Sequence, residues 1–164
     1  MKRVAIITSS DTGYRGERED LSGPVIREIT EKAGYETVLM EILPDDRDML
    51  SRRMAEIADG GAAELILTTG GTGFSQRDVM LEATEDIIER RVPGTPEAMR
   101  AYSMTITKGA MLSRATALPI RAIVVKILYF INFHLHFLSN SLKKGDKKGS
   151  GRCGTAPLKF PLTP

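Results

Sequence analysis

Cysteine, histidine and long apolar runs near the N-terminus are scarce in this chain of 164 residues, and each scarcity excludes a class of protein. A single cysteine excludes an internal disulfide framework and a cysteine-cluster metal site, so we expect a reducing compartment and a cytoplasmic protein. The first apolar run, residues 4–7, is too brief for the core of a signal peptide. The two histidines, His134 and His136, have no third ligand nearby, which disfavours a histidine metal site.

The charges divide the chain into two parts. Residues 1–117 carry 15 Lys and Arg against 20 Asp and Glu, whereas residues 118–164 carry 8 against 1. A basic segment with interleaved aromatic residues occurs in nucleic-acid and membrane-surface proteins, but a solvated or disordered tail is the simpler interpretation. We therefore expect no nucleic-acid partner.

The second part begins with 21 largely apolar residues, 118–138, which are numerous enough to span a bilayer. This run contains Pro119, Arg121 and Lys126, and a charged residue near its centre would cost roughly 2.5–3.5 kcal/mol on insertion. We therefore expect no membrane span. Residues 122–125 are apolar enough to supply a strand to a sheet, and the lysines and glycines beyond Ser139 are typical of disorder.

Strands alternate with helices along the first part of the chain. The predicted elements are a strand over 3–8, a loop over 9–20, a helix capped by Ser22 and ended by Gly34, a strand over 36–43, a helix capped by Asp45 or Asp46 and ended by Gly60, a strand over 64–69, a helix over about 79–91 and a helix from 97 to about 107. This order predicts a single three-layer α/β domain with a mostly parallel sheet.

The stretch from Thr68 to Asp78 is the most informative part of the sequence. It follows the apolar run 65–67 and contains Thr68, Thr69, Gly70, Gly71, Thr72 and Gly73 in succession. Glycines permit positive φ and close approach of the backbone to a ligand, and turned N–H groups form an anion site, so we predict a phosphate cradle. An ordinary strand-to-helix turn is the alternative, but such a turn needs only one glycine.

Carboxylates follow the predicted strands at the same edge of the sheet, where ligands bind in parallel α/β domains. Asp45, Asp46 and Asp78 are candidates for holding a divalent metal beside the phosphate cradle, since such a metal neutralises phosphate charge and is usually held through one or two protein carboxylates. Helix capping is the alternative for Asp45 and Asp46. Weaker candidates have equally simple structural explanations: Asp11 in its own turn, Asp20 before a helix, Ser113 as a cap and Arg114 as a surface residue.

These motifs together resemble the MogA/MoaB family of molybdopterin-binding proteins in molybdenum cofactor biosynthesis. The resemblance rests on the glycine loop 68–73 with the residues 77–79 and 82–84 that follow it. It continues at residues 9–11, 20–24, 44–45, 93–94, 97–100 and 112–115, and covers roughly the first 117 residues.

The resemblance implies a molybdopterin adenylyltransferase, in which Mg-ATP and molybdopterin are the substrates and pyrophosphate is released. It implies catalytic and metal-binding roles for Asp45 and Asp78. The implied ligand contacts are Ser9, Asp11, Asp20, Thr69, Gly70, Gly71, Thr72, Gly73, Ser113 and Arg114. It further implies a homo-oligomer, a trimer or hexamer, that works with other proteins of molybdenum cofactor biosynthesis.

Two departures from the family are visible. Met80 and Leu81 stand where the family usually has Thr-Pro. The family's second ligand loop, of the Asn-Leu-Pro-Gly-Ser-Pro-Lys type, is absent after Ala117. The abrupt change in composition at this point resembles a reading-frame change or an alternative terminal segment. We therefore divide the chain into a molybdopterin-binding domain over 1–117 and an atypical, partly disordered tail over 118–164.

Three other functions compete with the enzyme. A protein of the same fold that binds molybdopterin or nucleotide without turnover would need only the first part of the chain. A domain like that of CinA-type nucleotide-processing proteins shares the Thr-Thr-Gly-Gly loop, but its usual partner domain is missing. A GTPase resembling FtsZ is disfavoured because 164 residues are too few for that architecture.

Overall fold

A computed structural model describes residues 2–120 and 123–127, with side chains as far as Thr116. Its elements are β1 (Lys2–Ser9), α1 (Asp11–Tyr14), α2 (Ser22–Lys32), β2 (Tyr35–Leu43), α3 (Arg47–Asp59), β3 (Leu65–Thr69), α4 (Met80–Glu85), α5 (Gly94–Met104), a 3-10 helix (Lys108–Leu112), β4 (Ala117–Ile120) and β5 (Ile123–Ile127).

The strands form a five-stranded sheet in the order β2-β1-β3-β5-β4. β1 pairs in parallel with β2 and β3, and β3 pairs in parallel with β5, whereas β4 is antiparallel to β5 at the edge. The predicted α/β domain with a mostly parallel sheet is confirmed.

Alternating residues of the central strands supply two cores, one on each face of the sheet. Ala5 and Ile7 of β1 pack against Leu50 and Met54 of α3, and residues of α4 join the same cluster. Val4 and Ile6 of β1 pack against Ile26 of α2 in the second cluster. Helices therefore cover both faces, which gives the three layers that the sequence predicts.

The register of the sheet brings the loops after β1, β2 and β3 to one edge. Ser9 pairs with Leu43 at the end of β2, and Thr8 pairs with Thr69 at the end of β3. The predicted site residues after these three strands therefore start from neighbouring positions, as expected for the carboxyl edge of a parallel sheet.

Three local predictions were wrong. The predicted helix over 79–91 ends at Glu85, because Ile87 N–H bonds back only three residues to Thr84 O and Asp86 is held by Arg47 of α3. The helix predicted from 97 starts at Gly94, since a proline such as Pro96 is tolerated in a first helical turn. The predicted loop over 9–20 contains the short helix α1.

The capping of α2 also differs from the prediction. The Asp20 carboxylate, and not the Ser22 side chain, accepts hydrogen bonds from the first N–H groups of the helix, those of Ser22 and Gly23. A carboxylate at this position also interacts favourably with the helix dipole.

The sheet continues past the predicted domain boundary at residue 117, because β4 and β5 both belong to it. β5 agrees with the strand suggested over 122–125. The predictions for His134, His136 and the basic end concern residues 128–164, which lie outside the described residues. Among the helices that the structure describes, none is both long and apolar enough to cross a membrane.

Candidate functional site

Two residues of the glycine loop lie in the left-handed region, Gly70 at φ 86° and Gly71 at φ 57°. A Cβ on Gly70 would lie 2.1 Å from the carbonyl oxygen of Ser9, the last residue of β1. No side chain fits there. Both the backbone conformation and the close approach of the loop to β1 therefore require glycine.

The carbonyl groups of the loop are held by the protein. Gly71 O accepts from Met80 N at 3.0 Å, and Gly73 O accepts from Arg114 Nε at 2.8 Å. In a planar trans peptide the next N–H points opposite to the carbonyl, so the N–H groups of Thr72 and Phe74 point away from these contacts. These two N–H groups therefore take no part in the contacts that hold the loop, and N–H groups of this kind are what an anion requires.

Asp45 is bound directly to the end of β1. Its Oδ1 accepts from Ser9 Oγ at 2.5 Å, and its Oδ2 accepts from Asp11 N at 3.0 Å. The neighbouring Asp46 caps α3 by accepting from Met49 N at 2.9 Å. Asp46 therefore performs the capping that the sequence left open between the two residues, and Asp45 belongs to the sheet edge.

Asp11 links Asp45 to the segment that follows the glycine loop. Its Oδ1 accepts from Asp45 N at 3.0 Å, and Arg77 donates to both of its carboxylate oxygens, from Nε at 3.0 Å and Nη2 at 2.7 Å. The hydrogen bonds from Arg77 and from the backbone of Asp45 lower the pKa of Asp11. Sequence reasoning did not select Arg77 as a site residue, because its partner lies 66 residues away.

Asp78 is folded back against the loop that precedes it. Its Oδ2 accepts from Ser75 N at 2.7 Å, and a Cβ on Gly73 would lie only 2.9 Å from the same oxygen. Gly73 is therefore needed for the carboxylate to reach this position. Asp45 and Asp78 lie at opposite ends of the loop. Asp45 is bonded to Ser9, whose hydroxyl lies near Gly71, whereas Asp78 lies beside Gly73.

Arg114 binds the Gly73 end of the loop. In addition to Gly73 O it donates to Asp78 O at 2.6 Å and to Glu82 Oε1 at 2.5 Å. Burial raises the pKa of Glu82, but the Arg114 hydrogen bond and nearby positive charges outweigh burial, and the net effect is a lowered pKa. In this structure Arg114 supports the loop, and Glu82 is a further residue that sequence reasoning missed.

Asp20 and Ser113 make their contacts elsewhere. Asp20 Oδ2 accepts from Thr8 Oγ1 at 2.7 Å, besides capping α2. Ser113 is buried, and its Oγ accepts from Ala115 N at 3.2 Å. The structure does not bring either side chain into the cluster of Ser9, Asp11 and Asp45.

The threonines of the loop are buried. Thr68 and Thr69 are fully buried and Thr72 nearly so. The hydroxyl groups of Thr68 and Thr69 have no hydrogen-bond partner among the described residues. A buried hydroxyl without a partner is costly, so water, a ligand or chain outside the described residues is expected to bind these two groups.

The donor set suits Mg²⁺ bound together with phosphate groups. No cluster of three or more Asp, Glu, His or Cys suited to a metal occurs in the described part of the chain. Mg²⁺ does not need one, since it is usually held by one or two carboxylates with substrate phosphates and water. Each Asp45 oxygen accepts one of the hydrogen bonds described above and retains a further lone pair, so the residues present fit this ion.

Fold and site together define a molybdopterin-binding domain of the α/β class, and the comparison with known families agrees. The model of the "probable molybdopterin binding domain" family matches residues 5–128. The chain belongs to this family, as the sequence predicts. The match extends past Ala117 and includes β4 and β5.

Relatives with the same domain include enzymes. The chain is 34% identical over 116 residues to a molybdopterin adenylyltransferase of Helicobacter pylori, covering 70% of this chain and 66% of that protein. It is 38% identical over 120 residues to a molybdopterin adenylyltransferase of Pyrococcus furiosus, covering 73% and 69%. The match thus spans about two thirds of these curated relatives.

A solved structure shares the fold. The molybdopterin biosynthesis enzyme MoaB of Thermus thermophilus is 39% identical and superposes with a TM-score of 0.74, covering 79% of this chain and 81% of that one.

Proposed function

We propose that this protein transfers the adenylyl group of ATP to molybdopterin and releases pyrophosphate, as a step of molybdenum cofactor biosynthesis. Its membership of the molybdopterin-binding domain family and the names of its 34–38% identical relatives support this proposal. In the proposed step, a phosphate oxygen of molybdopterin attacks the α-phosphorus of ATP. The bond from that phosphorus to the bridging oxygen breaks, and pyrophosphate leaves.

The observation that carries the proposal is the contact between the glycine loop and the Ser9–Asp45 pair. Ser9 approaches Gly70 with its carbonyl group and Gly71 with its hydroxyl, and the same hydroxyl donates to Asp45. Ser9 thus connects the phosphate-binding loop to the Asp45 carboxylate. Phosphoryl-type transfer depends mainly on positioning and charge neutralisation, which such a pairing supplies.

In this proposal each part of the site has one task. The backbone of residues 69–73 binds phosphate, and Asp45 and Asp78 would hold Mg²⁺. Bound Mg²⁺ neutralises phosphate charge and polarises the oxygens it contacts. Ser9, Asp11 and Arg114 keep the carboxylates and the loop in place. Direct ligand contacts by Ser9, Asp11, Asp20, Ser113 and Arg114 stay predictions.

The test is release of pyrophosphate from Mg-ATP in the presence of molybdopterin, measured for the wild type and for Asp78→Ala. We expect release by the wild type and a loss of about 100-fold or more in the variant, the size typical for removal of an electrostatic contributor. Asp86→Ala is the matched control, since Asp86 is an exposed carboxylate bound to Arg47 away from the loop. No release from the folded wild type would contradict the proposal.

The second candidate is a protein that binds molybdopterin without turnover. The absence of the family's second ligand loop in the sequence after Ala117 favours it. Titration of molybdopterin into the protein, followed by fluorescence, separates the two functions: binding without pyrophosphate release supports the second candidate, and binding with release supports the enzyme.

We also propose a compartment and an oligomeric state for the enzyme. We place it in the cytoplasm because of its single cysteine. We expect a trimer or hexamer that receives molybdopterin from, and passes its product to, other proteins of cofactor assembly. Light scattering on the purified protein measures the oligomer, and a monomeric mass would contradict this assignment.

A further inference from the structure

Arg77 and Asp11 form an ion pair that joins the segment after the glycine loop to the loop after β1. Both Arg77 Nε and Nη2 donate to the Asp11 carboxylate, at 3.0 and 2.7 Å, in a two-point contact. The Arg77 side chain is 60% exposed. Exposed ion pairs contribute little to global stability, whereas a two-point contact fixes geometry. The pair is therefore suited to hold two segments in one arrangement.

The residues beside this pair are the two candidate catalytic carboxylates. Arg77 precedes Asp78 in the chain, so its guanidinium fixes the segment on which Asp78 lies. Asp11 exchanges two backbone-to-carboxylate hydrogen bonds with Asp45, each 3.0 Å long. One continuous connection thus runs from Asp78 through Arg77 and Asp11 to Asp45.

The rest of the segment from Gly73 to Asp78 is tied down at its ends. Arg114 binds Gly73 O and Asp78 O, and Ser75 bonds to Asp78 within the segment. Among the side-chain hydrogen bonds and ion pairs described here for residues 2–116, the Arg77–Asp11 pair is the one that joins this segment to the loop after β1. Loss of the pair would let the segment open more often and free its position relative to Asp45, while Arg114 still holds its ends.

We propose that Arg77 is a positioning residue that sets the placement of Asp78 relative to Asp45 through its ion pair with Asp11. The inference rests on the proposed function, because it assigns Arg77 a part in the same reaction without contact to substrate. Since small misplacements of reacting groups cost large factors in rate, the effect falls on turnover.

The kinetic test compares Arg77→Gln, Asp11→Asn and the double variant. Asp11→Asn keeps an acceptor oxygen for Asp45 N but removes the charge that binds Arg77. We expect each single variant to lower kcat at least about tenfold, with KM for ATP within about threefold of wild type. The double variant should be no worse than the poorer single variant, because both remove one interaction.

The matched control is Arg47→Gln. Arg47 and Asp86 form another exposed two-point pair between distant segments, α3 and the end of α4, but contact neither candidate carboxylate. We expect kcat within about twofold of wild type. Arg77→Lys is the second control. It keeps the positive charge but cannot make the two-point contact, so we expect its kcat to be as low as that of Arg77→Gln. Recovery of kcat by lysine, or a raised KM alone, would indicate direct contact with phosphate and would overturn the inference.

Hydrogen exchange tests the placement without any turnover. The amide groups of Ser75, Arg77 and Asp78 are bonded within the segment, and we expect them to exchange faster in Arg77→Gln and Asp11→Asn but not in Arg47→Gln. Unchanged exchange would overturn the inference, and so would faster exchange with wild-type kcat. An inactive wild type would refute the proposed function instead, and exchange would still decide whether the pair positions the segment.

Discussion

Ser9 and Gly70 approach each other so closely that a Cβ on Gly70 would lie 2.1 Å from the Ser9 carbonyl oxygen. Ser9 is also the residue whose hydroxyl binds Asp45. The contact therefore fixes the glycine loop and the Asp45 carboxylate to the same point at the end of β1, and a change at Gly70 should disturb both.

Gly70→Ala tests this contact. Gly34→Ala is the matched control, because Gly34 has nearly the same φ, 84° against 86°, but a Cβ added there would meet nothing within 4 Å. We expect Gly34→Ala to cost about 1–2 kcal/mol from backbone strain, and Gly70→Ala to cost roughly 1–3 kcal/mol more from overpacking against Ser9. Urea unfolding followed by circular dichroism measures both. Equal losses would show that the contact with Ser9 contributes nothing.

Asp45 and Asp46 allow a comparison of neighbouring carboxylates. Asp45→Asn removes charge beside the loop, and we expect pyrophosphate release to fall about 100-fold or more. Asp46→Asn removes the same charge one residue later but keeps a good helix cap, so release should stay within about twofold. Steady-state kinetics of pyrophosphate release measure both losses. A similar loss in both would mean that general negative charge, and not the placement of Asp45, matters.

Arg114→Ala should affect both stability and activity. It removes hydrogen bonds to Gly73, Asp78 and Glu82, and we expect a loss of about 2–3 kcal/mol together with much lower turnover. Arg53→Ala is the control, since Arg53 bonds to Glu41 and Glu56 with similar exposure but does not contact the loop. It should lose stability with kcat near wild type. Full activity in folded Arg114→Ala would refute the supporting role.

Much of this organisation was predictable because local sequence encodes it. The run 65–67 and the glycines after it predicted β3 and its loop, and Gly70 has the positive φ expected of such a turn. The early end of α4 was not predictable, since it involves the tertiary contact of Asp86 with Arg47, 39 residues away.

The same limit applies to the site. The sequence placed Asp45 at the sheet edge but left helix capping open, and only the structure assigns the cap to Asp46. Arg77 and Glu82 belong to the motif but were not selected as site residues, because their partners, Asp11 and Arg114, lie 66 and 32 residues distant. Residue type and spacing carry no signal over such separations.

Acid should weaken the contact between β1 and the start of β3. Hydrogen bonds from the side chain and backbone of Arg3 lower the pKa of Glu64 from its ordinary 4.5 to about 2. A carboxyl group with a lowered folded-state pKa stabilises the fold above its unfolded pKa and loses that contribution as pH falls toward the folded value. We expect Glu64→Gln to be less stable than wild type at pH 7, with the difference disappearing between about pH 5 and 2. A difference independent of pH, measured by urea unfolding, would contradict the ion-pair explanation.

The most direct measurement of the central claim follows the α-phosphate. Purified protein is mixed with molybdopterin, Mg²⁺ and ATP labelled at the α-phosphorus, and the products are separated by chromatography. We expect label in an adenylylated molybdopterin, formed in equal amount with pyrophosphate, and none in the absence of molybdopterin. Label that remains in ATP, or appears only in free AMP, while the protein binds molybdopterin would contradict adenylyl transfer.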